Sequence, residues 1–236
     1  MSLSSYEVEQ KEIEEKIWSF LSVEGSVVFD FGVGQYAEST RKLIDMGASV
    51  IGVDSDITVL RNHTTLPATF VQCDIRNIPF KPHTARAAVF YFILHEVDPT
   101  FHELIIEQVA VTSRHILIVE PTPGKSPAYR TYAELWKEAM HAIGAFEDYR
   151  PLSYWETLIQ ANQWNVLFSE TIEHKENIPS EVIERIVHST IRTWREHGVP
   201  EECSEKMRNF SEYAKKEGMK WSDVAVIIGE SKVYHE

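Results

Sequence analysis

The chain has 236 residues, with 23 Lys and Arg against 36 Asp and Glu, a formal charge of −13. That acidity repels nucleic acid at long range, and no Lys/Arg cluster offsets it, so a small neutral or cationic substrate is favoured over a nucleic-acid partner. The longest apolar run, residues 87–94, is far too short for a membrane span, Met1-Ser2-Leu3-Ser4-Ser5 lacks the pattern of a signal peptide, and Cys73 and Cys203 make no disulfide framework; a reducing cytoplasm is expected.

Residues 6–21 read as a helix with Ile13, Ile17, Phe20 and Leu21 on one face. Gly25 turns the chain into the apolar run Ser26-Val27-Val28-Phe29, which ends in Asp30-Phe31-Gly32-Val33-Gly34. A strand, a glycine turn and a helix (residues 37–46, with Leu43 and Ile44 at helical spacing and Gly47 as its stop) bring backbone close to a nucleotide-like ligand. The next strand, residues 49–53, ends in Asp54, where a carboxylate can accept from both hydroxyls of a ribose. A third, residues 68–72, ends in Cys73-Asp74-Ile75, so three acids stand at three successive strand ends, the ligand-binding edge of an open parallel sheet.

Two cofactors compete for this pattern. Gly32, Gly34 and Ala37 satisfy G-x-G-x-x-[GA], and Asp54 follows at the dinucleotide spacing. Asp30, however, would repel a pyrophosphate. S-adenosylmethionine (SAM) has no phosphate and carries an ammonium and a sulfonium, so an acid beside the turn favours it. Asp74 adds a polar acceptor near an adenine edge.

Residues 87–94 form the fourth strand, followed by His95 and Glu96. His95 is the only histidine at a predicted strand end on the ligand edge, either a general base with pKa near neutrality or a ring hydrogen-bonded to backbone to hold the loop; Glu96 is read as a cap for the turn at Asp98-Pro99. A helix over 101–112 turns Leu104, Ile105 and Val109 inward. The fifth strand leads to Glu120, able to bind an acceptor amine or to satisfy loop amides. Tyr132, Leu135, Trp136, Ala139, Met140 and Ile143 stripe a helix that stops at Gly144, and Ser153 is placed to cap a helix carrying Trp155, Leu158 and Ile159. Strands are expected over 165–171 and 223–228. The segment between them is too long for a hairpin loop and carries two amphipathic helices that stop at Gly198-Val199-Pro200 and at Gly218. The aromatics of these helices, like Tyr129 and Tyr132, read first as core. His63 and His83 are assigned to surface loops. No H-x-x-x-H or H-E-x-x-H spacing occurs, so no metal site is expected.

Five pieces together resemble one family. They are Val28-Phe29-Asp30-Phe31-Gly32-Val33-Gly34, Ile51-Gly52-Val53-Asp54-Ser55, Cys73-Asp74-Ile75-Arg76-Asn77-Ile78-Pro79-Phe80, the run from Ala88 to Val97, and Ile116-Leu117-Ile118-Val119-Glu120-Pro121. In this order, over residues 24–121, they resemble the class I SAM-dependent methyltransferases of small-molecule type. Tyr36 departs from the family, which often has a third glycine there. The resemblance implies a doubly wound α/β domain with a mixed seven-stranded sheet whose seventh strand is antiparallel. It implies Asp30, Gly32, Val33, Gly34, Asp54, Ser55, Asp74, Ile75 and Phe92 as cofactor contacts, with His95 and Glu120 on the acceptor side. The expected organisation is one domain: an N-terminal helix (1–22), an α/β core (24–172 and 222–236) and a helical cap (173–221) that closes over the acceptor or pairs with a second copy in a homodimer. The expected activity is methyl transfer from SAM to a small molecule. An NAD(P)-dependent oxidoreductase and a non-catalytic SAM-binding protein are the alternatives.

Overall fold

The computed structural model describes residues 4–234; Met1, Ser2 and Leu3 of the N-terminal stretch read for a targeting signal lie outside the described residues. Its elements alternate as the sequence implies: α1 (Ser5–Ser19), β1 (Val27–Phe31), α2 (Glu38–Asp45), β2 (Ser49–Asp54), α3 (Ile57–Asn62), β3 (Thr69–Gln72), β4 (Ala85–Tyr91), α4 (His102–Thr112) and β5 (Ser113–Pro121). Then come α5 (Pro127–Ala142), α6 (Leu152–Ala161), β6 (Trp164–Ile172), α7 (Ser180–Glu196), α8 (Glu201–Glu217) and β7 (Val224–Ser231). One seven-stranded sheet results, in the order β3-β2-β1-β4-β5-β7-β6. Strands β1 to β5 pair in parallel, and β7 runs antiparallel between β5 and β6. No helix among the described residues is long and apolar enough to cross a membrane.

The central strands are apolar on both faces because helices cover both. On one face Phe29, Phe31, Phe90 and Ile118 pack with Ile105, Ile106, Trp155 and Trp164. On the other, Val28, Val89, Leu117 and Val226 pack with Ile13, Ile17 and Trp18 of the first helix and with Leu43. The chain order reverses between β1 and β4, with β2 and β3 on one side and β5 onward on the other. A crevice opens outside the strand ends at such a switch point.

Several local expectations are corrected. The fourth strand stops at Tyr91, because Phe92 takes a left-handed backbone (φ 56°) that no strand can continue. Ser153 lies inside α6, whose N-cap is Pro151 with no side-chain hydrogen bond. Leu104 turns outward, while Ile105 and Ile106 are buried. The turn at Asp98-Pro99 is capped by Asp98 itself, which accepts from the Thr100 amide, and not by Glu96.

Helices α7 and α8 lay their apolar faces on α5. Ile183, Val187, Ile191 and Trp194 meet Cys203, Met207, Phe210 and Ala214 in one buried cluster with Tyr129, Tyr132, Ala133 and Ala139. The aromatic stripes of α5 and of the cap are thus core, as expected of rings at helical spacing.

Candidate active site

A cleft of about 810 Å³ opens at the switch point. Its floor is the glycine turn after β1. Gly32 has φ +80°, and a Cβ there would meet the Ile93 side chain at 2.6 Å, so only glycine fits. Gly34 (φ +65°) continues the left-handed turn. Val33, Asp54, Ser55, Asp74, Ile75 and Phe92 line the same cleft, which gathers eight of the nine residues expected at the cofactor. Tyr36, standing where the resembled family often has glycine, is also in the wall and is 58 % exposed.

The ninth, Asp30, is fully buried and does not line the cleft. Its Oδ2 accepts from the hydroxyls of Ser39 and Thr40, while Oδ1 has no partner among the described residues. Burial raises its pKa to about 6 against the opposing pull of Thr40 and Ser39. An orphaned buried carboxylate oxygen beside the turn fits a ligand that brings a cation.

Asp54 is held in place rather than free. Oδ2 accepts from the Gly34 amide at 3.1 Å and Oδ1 from the Asp56 amide at 2.9 Å. Each oxygen keeps a second lone pair, so two hydroxyls of a ribose can still be accepted. The N-cap of α3 is Asp56. Asp74 pairs with Arg76, which holds its carboxyl below the usual range, and Arg76 in turn lies over the Phe101 ring at 5.0 Å.

Electrically the cleft is one-sided. Among the described residues, Glu38, Asp54, Asp74, Glu96 and Asp98 line it against a single cation, Arg76, which Asp74 already engages. A pyrophosphate would meet net repulsion here; a cationic ligand would not.

Behind the wall, three carboxylates surround one imidazole. Glu120 is completely buried and accepts the amides of Ile93 (2.9 Å), Leu94 (2.6 Å) and His95 (3.3 Å). It also accepts from His95 Nδ1 at 2.7 Å, which fixes the proton on that nitrogen and aims Nε2 away. Glu120 therefore shapes the loop and orients His95, its oxygens occupied by four protein donors. Glu147 comes from the loop after α5, with Oε1 3.8 Å from His95 Nε2. The backbone bond from the Asp148 amide to the His95 carbonyl (2.9 Å) joins the two loops, and Tyr149 donates its hydroxyl to Glu147 while its ring stacks on His95 at 5.6 Å. A neutral His102 braces the turn from behind. Burial lowers its pKa, its Nε2–H donates to the Leu94 and Val97 carbonyls, and its Nδ1 accepts from Tyr154.

The titrations follow from this geometry. Burial opposes charge on His95, but Glu120, Glu147 and Glu96 outweigh it and push its pKa up to about 9. The expectation of a base poised near neutrality is thus corrected: at pH 7 the ring already holds its proton. Glu96 is open to solvent through the cleft yet ringed by protein atoms, and its carboxyl is raised by that enclosure first, then by Glu147, Glu120 and Asp54.

Glu147, Tyr149 and His63 were not singled out by sequence. Glu147 sits in a loop with no motif around it, and only the Asp148 to His95 backbone bond shows its place. His63, assigned to the surface, is buried with its Nε2 3.1 Å from the Gly34 carbonyl.

No family model and no curated protein matches the chain in sequence. Solved structures match it over nearly its whole length. An Anabaena variabilis protein named as a methyltransferase of an antibiotic biosynthesis pathway superposes with a TM-score of 0.66 at 14% identity, over 94% of this chain and 97% of that one. An S-adenosylmethionine-dependent methyltransferase from Mesorhizobium loti gives 0.57 at 13%, over 92% and 96%. The Haemonchus contortus phosphoethanolamine N-methyltransferase 2, solved with S-adenosylhomocysteine, gives 0.58 at 12%, over 95% of this chain and 52% of that one. The chain has the class I methyltransferase fold. Its mixed seven-stranded sheet with an antiparallel seventh strand is the one the resemblance implies.

Proposed function

We propose that the protein transfers a methyl group from SAM to a small-molecule amine. The observation that carries this reading is the acid balance of the cleft and of the cluster behind it. Glu38, Asp54, Glu96 and Asp98 have no cation of their own among the residues lining the cleft, and His95 is outnumbered by Glu96, Glu120 and Glu147. Asp54 would hold the ribose and Gly32 and Gly34 the backbone approach, while Asp30, buried behind the turn, would act on the ammonium by its charge alone. Asp74 and Ile75 would flank the adenine, with Phe92 beside them. When bound, the cofactor supplies an electrophilic methyl on a sulfonium.

The acceptor side discriminates by charge. Removing a proton from a hydroxyl creates an anion, which this field opposes, and a protonated His95 cannot take that proton. An ammonium group entering the cleft beside Glu96 is attracted, with Glu147 adding its charge from behind the wall. It can give its proton to the raised carboxyl of Glu96, exposing the nitrogen lone pair for in-line attack. The charge that returns to nitrogen on methylation is again balanced by the carboxylates. Two of the structural neighbours are named for amine methylation, the phosphoethanolamine enzyme and a Galdieria sulphuraria sarcosine dimethylglycine methyltransferase. That supports the reading at the level of the fold's repertoire.

Titration calorimetry with S-adenosylhomocysteine and with NADH separates the cofactors. A panel of primary, secondary and tertiary amines, with phenols and alcohols as controls, is then assayed for S-adenosylhomocysteine release. Turnover confined to phenols or alcohols refutes the amine reading. Tight cofactor binding without turnover of any acceptor favours the non-catalytic alternative.

A further inference from the structure

His63 is 6 % exposed, and its Nε2 stands 3.1 Å from the carbonyl oxygen of Gly34. A carbonyl only accepts, so Nε2 carries a proton and donates it. The amide of the same glycine donates to Asp54 Oδ2. Gly34 is therefore held at both its polar groups from two other elements, the end of β2 and the end of α3.

The turn has few other restraints. Gly32, Gly34 and Ala37 all have left-handed backbones, at φ 80°, 65° and 50°. Helix α2 begins after Ala37, which offers its first amides no side-chain cap. Within the turn, the Ala37 amide reaches the Gly34 carbonyl only at 3.4 Å. Glycine-rich backbone has the most freedom to lose on ordering. A turn ordered before the ligand arrives spares the ligand that cost. His63 itself does not line the cleft.

We propose that His63 is a positioning residue for the cofactor turn, its Nε2–H holding the Gly34 carbonyl and with it the Gly34–Gln35 peptide in the cleft wall. The inference rests on the reading of this cleft as the SAM site.

Three variants test it. His63→Phe keeps an aromatic ring without a donor, and the smaller His63→Leu also lacks a donor should the first not fold. His63→Gln places an amide nitrogen near the position of Nε2. The readouts are calorimetry with S-adenosylhomocysteine and hydrogen exchange over residues 31–40 in the free protein. His63→Phe is expected to bind about tenfold more weakly, as for a hydrogen bond lost with its acceptor left to the long Ala37 bond alone. Exchange in the turn should quicken, His63→Gln should restore both readouts, and saturating ligand should abolish the differences in exchange. Weak binding that His63→Gln does not restore makes His63 a packing residue and overturns the proposal, as does unchanged binding in His63→Phe. A wild-type protein that does not bind S-adenosylhomocysteine removes the cofactor reading instead. In that event quickened exchange in His63→Phe, restored in His63→Gln, still establishes the hold on the turn, and its absence overturns that hold as well.

Discussion

Replacing Asp54 by Asn tests the cofactor reading with little change of shape. In the wild type, both carboxylate oxygens accept backbone amides, Gly34 at 3.1 Å and Asp56 at 2.9 Å. An amide side chain has one acceptor and one NH2 group. Whichever way it turns, the NH2 faces a backbone N–H, so one of the two bonds is lost and that amide is left to water. The remaining oxygen is neutral, and it serves one ribose hydroxyl where the carboxylate serves two. One charge-assisted bond to the ligand is thus removed and a second weakened, at about 1.5–3 kcal/mol for a bond to a charged group. Solvent reaches the site, so the lower half of that range applies. The expected loss is about 2 kcal/mol, roughly thirtyfold in the dissociation constant of S-adenosylhomocysteine. Titration calorimetry reads it, with a thermal melt to confirm that the variant is folded. A dissociation constant within about threefold of wild type, in a folded variant, would refute ribose binding by Asp54.

Asp30→Asn should stabilise the free protein at pH 7 by about 1 kcal/mol and weaken SAM binding, since a buried carboxylate with one unpartnered oxygen costs the fold what it offers a cation. Its folded pKa of about 6 exceeds the unfolded value, so the destabilisation of wild type relative to the variant should set in as pH rises through the range between them; a variant that melts no higher at pH 7 speaks against this. For His95 the sign is that of a raised base. Its contribution to stability is complete below its unfolded pKa near 6.5 and is lost as pH rises through about 9, which melts at pH 6.5 to 9.5 and an NMR titration of the ring both measure. A ring that titrates at or below 6.5 would contradict the carboxylate cage. Gly32→Ala should cost about 2 kcal/mol, from a Cβ driven into the Ile93 side chain and a left-handed backbone, and should impair S-adenosylhomocysteine binding together with stability; a neutral result would show that the turn can shift.

The outline of the fold was readable because each part of it has a local cause. Strands buried on both faces must be apolar runs, and Val27–Phe31 and Ala85–Tyr91 are such runs. The glycine turn was readable because Gly32 and Gly34 do what residues with a Cβ cannot. Asp54 and Asp74 were legible as residues of the cleft because a strand end on the switch-point edge has one place to point. The cap helices were legible from their apolar stripes, but the surface they cover was not: their partner is α5, and the cleft receives none of their side chains. Tertiary structure alone decided the carboxylate cluster around His95. Glu147 and His95 lie fifty-two positions apart and meet where the loop after α5 bonds to and stacks on the turn after β4, a contact with no periodicity to announce it. The same holds for His63, whose burial depends on where α3 comes to rest against the glycine turn. The pKa of His95 is likewise a sum over carboxylates from three segments. A chain can specify such a sum only once those segments have packed together.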